Sequence, residues 1–162
     1  MFKINYRIVA NEYDDFIGQN GFFQINCNGY DYGEIYPKEI EEVMEKTSLY
    51  DWFERLTRVV KNLETKEYVA LSDIESYNTW IEFEKRDSQI IISIIEAKKE
   101  QGSQDIEFHL VETKPSDWTN QVVDFYQLKE EISRKGKDYI ESVIVFNADN
   151  KTIIAKIQRE FQ

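Results

Sequence analysis

Gly21-Phe22-Phe23-Gln24-Ile25-Asn26-Cys27-Asn28-Gly29-Tyr30-Asp31-Tyr32 is the stretch whose reading decides the fold. Residues 22–27 read as a strand that runs into Asn28-Gly29, the pair that best tolerates the positive φ angles of a two-residue hairpin turn. The returning strand, residues 30–36, then sets Ile25 opposite Tyr32 and Cys27 opposite Tyr30. Upstream, Phe2, Ile4, Tyr6, Ile8 and Ala10 alternate with Lys3, Asn5, Arg7 and Val9, the period-two pattern of a half-buried strand. The N-terminal part is therefore expected to be antiparallel sheet built on a hairpin.

Downstream the period changes. Pro37, at a first helical position where its missing N–H costs nothing, is read as opening a short helix over 38–46 with Ile40, Val43 and Met44 inward. Ser48 with Asp51 three residues on has the form of an N-terminal cap. The helix after it places Leu49, Trp52, Phe53, Leu56, Val60 and Leu63 on one stripe. Those aromatic residues suit a core, with a ligand pocket as the alternative. Residues 68–71 and 79–84 read as strands, and Lys85-Arg86-Asp87-Ser88 as a four-residue hairpin loop. The isoleucine-rich run 89–97 is expected to be a central strand covered on both faces, with 105–111 returning beside it in meander order. Val122-Val123 adds a short strand before Asp124 caps a helix with Gln127 at its third position. The buried stripe of that helix is Leu128, Ile132, Tyr139, Ile140 and Val143, and Gly136 is a place for a break. A last helix, 151–161, puts Ile153, Ile154, Ile157 and Phe161 on one face. Strands first, one amphipathic helix between them and helices at the end make an α+β fold, a mostly antiparallel sheet in a single domain over residues 1–162.

Composition narrows the chemistry. The chain has 162 residues, 14% of them aromatic, and a net charge of −11. Such a chain has enough apolar surface to fold. Its charge speaks against general nucleic-acid binding, which needs Lys and Arg to displace counterions from phosphates. Residues 10–54 alone hold eleven acids against Lys38 and Lys46, a net −9 of the total. One third of the chain thus carries its electrostatic character.

With a single cysteine and a single histidine, neither a disulfide nor a Cys/His metal site is expected, and no cofactor. Cys27 has no neighbouring base and reads as a small buried apolar residue; His109 reads as a surface or half-buried histidine. The N-terminus lacks the apolar segment of a secretory signal, which makes the cytoplasm the expected compartment. The longest apolar run, Ile90-Ile91-Ile92-Ser93-Ile94-Ile95, is far short of the roughly 20 residues a membrane span requires, so no membrane association is expected. Glu96-Ala97-Lys98 at a strand end has the acid-x-Lys form of metal-dependent nucleases. In a chain so rich in acids and lysines, four such pairs occur, as chance alone would supply.

The stretch Tyr68-Val69-Ala70-Leu71-Ser72-Asp73-Ile74-Glu75-Ser76-Tyr77-Asn78-Thr79-Trp80-Ile81-Glu82-Phe83 resembles a group of bacterial immunity proteins, the WapI type, which protect a cell from the C-terminal toxin of a wall-associated polymorphic toxin. The hairpin around Phe22, the helix with Trp52-Phe53, and the segment from Trp118 to Tyr139 follow in the order of that group. The resemblance implies a non-enzymatic, cytoplasmic protein that binds and neutralises a cognate toxin domain. Several such toxins are nucleases, with basic surfaces. The charge distribution meets that implication independently: Glu12, Asp14, Asp15, Asp31, Glu34, Tyr36, Glu39, Glu42 and Glu45 are the candidate partner-binding residues of an acidic, tyrosine-bearing face. Asp73 and Glu75 can instead order their turn, with Trp80 in the sheet core. Two other classes fit the sequence: an adaptor that binds through a sheet edge or apolar groove, and a carboxylate-dependent hydrolase using Glu96 or Asp73. The plain reading of the acids is solubility.

Overall fold

A computed structural model describes residues 1–161 and shows an α+β fold with two antiparallel sheets and three α-helices. Strand β1 (Phe2–Ile8) pairs with β2 (Asn20–Cys27), and β2 turns through Asn28-Gly29 into β3 (Tyr30–Glu34). Asn28 and Gly29 have φ of 53° and 93°, and the register sets Ile25 opposite Tyr32 and Cys27 opposite Tyr30, as the sequence indicates. Both outer strands are shorter than their patterns: β1 stops at Ile8, before Ala10, and β3 at Glu34, before Tyr36.

The expected helix over 38–46 is absent. A single 3₁₀ turn, Lys38–Ile40, is followed by turns, with Val43 80% and Ile40 41% exposed and Met44 half-buried. The physical reason lies in the segment itself. It is too short to be stable as an isolated helix, and a helix would stack Glu41 over Glu45 and Glu39 over Glu42, like charges at repulsive spacings. No apolar face is buried to offset that cost. The segment is instead held by Arg7, whose guanidinium pairs with Glu41 at 3.1 Å and donates to the Tyr36 carbonyl.

Strand β4 (Thr47–Ser48) brings the chain back to β2, Thr47 opposite Gly21. Since β1 covers the other edge of β2 from Gly21 to Cys27, β3 and β4 lie end to end along one edge. Residues 35–46 loop out between them. Close approach explains the glycines here: a Cβ on Gly21 would stand 2.1 Å from the Arg7 carbonyl oxygen, and one on Gly33, at φ +92°, 2.3 Å from that of Phe23.

Helix α1 (Leu49–Leu63) begins where Ser48 Oγ accepts the Asp51 N–H at 3.1 Å. Its six expected stripe residues are all buried, joined by Tyr50 and Val59. Strands β5 (Tyr68–Ser72), β6 (Thr79–Arg86) and β7 (Gln89–Glu96) form the second meander. The loop between β6 and β7 has two residues, not four: Lys85 and Arg86 pair with Ile90 and Gln89, and Asp87 takes φ 56°, a conformation aspartate tolerates. The expected strand 105–111 is reduced to β8 (Ile106–Glu107), which pairs with β5 rather than β7. The free edge of β7 is occupied by β9 (Lys114–Pro115) and β10 (Gln121–Asp124), so β8 closes the opposite side.

Helix α2 (Phe125–Phe146) starts at Asp124, whose carboxylate accepts the Gln127 N–H, and runs unbroken through Gly136. Helix α3 (Lys151–Glu160) buries only Ile157 fully, with Ile153 and Phe161 packed at the margin of the core and Ile154 half-buried. One continuous core joins both sheets through α1 and α2. Phe53 stacks on Tyr139 at 4.8 Å, and Tyr6 meets both edge-on. Strand β7 is covered on both faces: Ile90, Ile92 and Ile94 face the main core, while Ile95 joins Trp80 in a second cluster whose indole N–H donates to the Ala97 carbonyl at 3.0 Å.

Candidate functional site: a carboxylate-rimmed aromatic groove

Where the chain loops out between β3 and β4, it leaves a groove of about 480 Å³. It is lined by Phe22 and Phe23 of β2, Trp52 of α1, Tyr32 and Glu34 of β3, Tyr36, and Glu45 to Thr47. The turn between β5 and β6, with Asp73, Glu75 and Ser76, completes the rim. The groove therefore stands between the two sheets. It combines five aromatic side chains with four carboxylates and one lysine.

The rim is held in place. Asp73 accepts the N–H groups of Glu75 at 2.7 Å and Ser76 at 2.9 Å, and also the Tyr32 hydroxyl from the other sheet. Burial, with the Asp73 carboxylate adding to it, pushes the Tyr32 phenol far above its ordinary range, so this hydroxyl stays a donor. The Trp52 indole N–H donates to Thr47 Oγ1 at 2.9 Å, and that hydroxyl donates to Glu75 at 2.9 Å. Trp52 itself stacks on Phe23 at 4.8 Å with the rings nearly parallel. A core contact thus fixes the direction of a surface carboxylate.

The charges are not neutralised from within. Among the described residues, none of Glu34, Glu45, Asp73 and Glu75 forms an ion pair. The Lys46 ammonium donates to the Glu42 carbonyl at 3.2 Å. Phe22, Phe23 and Trp52 are buried, so the aromatic surface of the groove comes from the half-buried Tyr32 and Tyr36; with the fixed negative charge beside it, the arrangement suits a cation.

Of the nine candidate residues from the sequence, Glu34, Tyr36 and Glu45 line this groove. Asp31 alternates to the other face of β3, where its carboxylate accepts Asn26 Nδ2 at 2.7 Å. Asp14 accepts Asn20 Nδ2 at 2.8 Å, and Asp15 accepts Gln19 Nε2 at 3.3 Å, so both order their own loop. That loop, with exposed Glu12, is tied to the end of α2: Asn147 exchanges two hydrogen bonds with Ile17, and the Tyr139 hydroxyl donates to the Gly18 carbonyl. Glu39 and Glu42 are exposed on the looped-out segment and are not in the lining. The nine do not make one face. The sequence reading assigned Asp73 and Glu75 to turn formation, which Asp73 performs, but not to the acidic surface they complete. The signal available for them was their place inside the stretch resembling immunity proteins.

Cys27 is buried, and burial pushes its thiol up to about 11. His109 is exposed. Glu96 pairs with Lys114 at 3.5 Å. Among the described residues no three His, Cys, Asp or Glu side chains are grouped to hold a metal ion, and no helix is long and apolar enough to cross a membrane. At the outer edge of β1, the Ile4 N–H donates to the buried Glu131 carboxylate at 3.3 Å. No protein-family description, curated protein or solved structure matches the chain.

Proposed function

We propose that this chain is a non-enzymatic inhibitor that binds and neutralises a basic, nuclease-type bacterial toxin domain in the cytoplasm, as immunity proteins of the type it resembles do. The single observation that supports this most is the groove: four carboxylates without ion pairs, set against aromatic side chains on a rim braced by core contacts. Charge left unpaired within a fold costs self-repulsion and contributes nothing to packing. It gains value when a positive partner arrives, by accelerating encounter and fixing orientation. Aromatic residues beside the charge supply the apolar contact area that dominates interface energies.

The test is co-expression with the C-terminal domain of a wall-associated polymorphic toxin, sought first in the gene just upstream. Cells should survive only when this chain is present, and the purified pair should associate quickly at low salt and more slowly as salt rises. Survival without this chain, or failure of the two to associate, contradicts the reading.

A further inference from the structure

Within that reading, on which this step rests, we infer that the groove receives one arginine side chain of the partner, its guanidinium held among Glu34, Glu45, Asp73 and Glu75. Charge complementarity selects a cation, since the lining carries four carboxylates and its one lysine is turned to the Glu42 carbonyl. Aromatic lining selects arginine over lysine. A planar, weakly hydrated guanidinium packs on rings and donates in a fork to carboxylates, whereas an ammonium is a compact, strongly hydrated charge.

The same molecule contains the contact already. Arg7 sits 5.2 Å over the Phe22 ring while its guanidinium reaches Glu41 and the Tyr36 carbonyl. Tyr36, half-buried and edge-on to Phe22 at 5.3 Å, lines the groove, so the inferred arginine would repeat on Tyr36 a contact type that Arg7 already makes on Phe22. The carboxylates need little reorganisation to receive it. Asp73 is fixed by two backbone N–H groups and Tyr32, and Glu75 by Thr47, which lowers the ordering cost of binding.

The experiment is an NMR titration of the full chain with acetyl-Gly-Arg-Gly-amide, and with the same tripeptide carrying lysine or citrulline in place of arginine. The arginine peptide should shift the Trp52 indole N–H and the Glu75 and Ser76 amides, with an affinity about tenfold above the lysine peptide and no saturation by citrulline. The Glu34→Gln/Glu45→Gln double variant, whose side chains form no hydrogen bond or ion pair among the described residues, should lose the shifts; Glu100→Gln, exposed and outside the lining, should keep them. Equal affinity for the lysine peptide, shifts outside the groove, or no saturation by about 10 mM arginine peptide overturns the inference. Its failure is separable from that of the function: a toxin neutralised equally well by the double variant removes the arginine site and leaves inhibition standing, while peptide binding without toxin neutralisation does the reverse.

Discussion

In the six-stranded sheet, β7 buries Ile90, Ile92 and Ile94 on one face and Ser93 and Ile95 on the other, and both of its edges are paired. In the four-stranded sheet, the edge of β2 is served by two separate strands, and the chain between them loops out with Val43, Glu39, Glu42 and Glu45 exposed. The first region spends its sequence on packing. The second leaves an interruption that packing alone does not explain, lined by aromatics and rimmed by carboxylates. A fold gains nothing in stability from such a gap; under the proposed function, the interrupted edge is where the partner is accommodated.

The contrast can be broken at either end. Trp80→Ala, in the packed sheet, should cost about 3–5 kcal/mol by urea unfolding, because it empties a fully buried site and removes the hydrogen bond to Ala97. A loss below about 1 kcal/mol would mean that this sheet is not the rigid half of the molecule. Alkaline pH acts next. Burial raises the Cys27 thiol from 9.0 to about 11 and raises the phenols of Tyr32, Tyr68 and Tyr139 above their usual 10.0. The folded chain keeps these protons while the unfolded chain releases them, so stability is intact below pH 9 and falls as pH climbs through about 11 and beyond. The urea midpoint should therefore be lower at about pH 10.5 than at about pH 8; equal midpoints would contradict these burial effects.

Smaller effects belong to the groove. Tyr32→Phe removes the one hydroxyl that joins β3 to the β5–β6 turn and should cost about 1–2 kcal/mol, read as a shift of the unfolding midpoint with an unchanged slope. Smallest and opposite in sign, Glu34→Gln with Glu45→Gln should stabilise the chain by a few tenths of a kcal/mol at low salt, the gain vanishing as salt rises. Destabilisation by that pair would show that the carboxylates serve the fold rather than a partner.

The parts of this structure governed by near neighbours were legible in the sequence. Asn28-Gly29 fixed the hairpin register to the residue, and Ser48 and Asp124 marked the starts of α1 and α2. Local pattern misled where tertiary pairing decides. The apolar spacing of Ile40, Val43 and Met44 suggested a helix, but no surface covers that stripe and its glutamates repel one another. Ile106 and Phe108 alternate like a strand, yet alternation does not say which sheet edge is free, and β9 and β10 had taken that of β7. The groove was half legible for a similar reason. Glu34, Tyr36 and Glu45 are close in sequence, whereas Asp73 is joined to Tyr32 across 41 residues, a closure made by packing two sheets on one helix. Asp31 and Glu34, three apart on a strand, point to opposite faces and could not have shared a site.

The most direct test is the association of this chain with the toxin domain it is proposed to neutralise, followed by stopped-flow Trp fluorescence for the wild type and for the Glu34→Gln/Glu45→Gln/Glu75→Gln variant at rising salt. The predicted result is an association rate at least about tenfold lower for the variant at low salt, with the two rates converging as screening increases. Equal rates and equal affinities at every salt concentration would place the interface away from the groove and contradict the account.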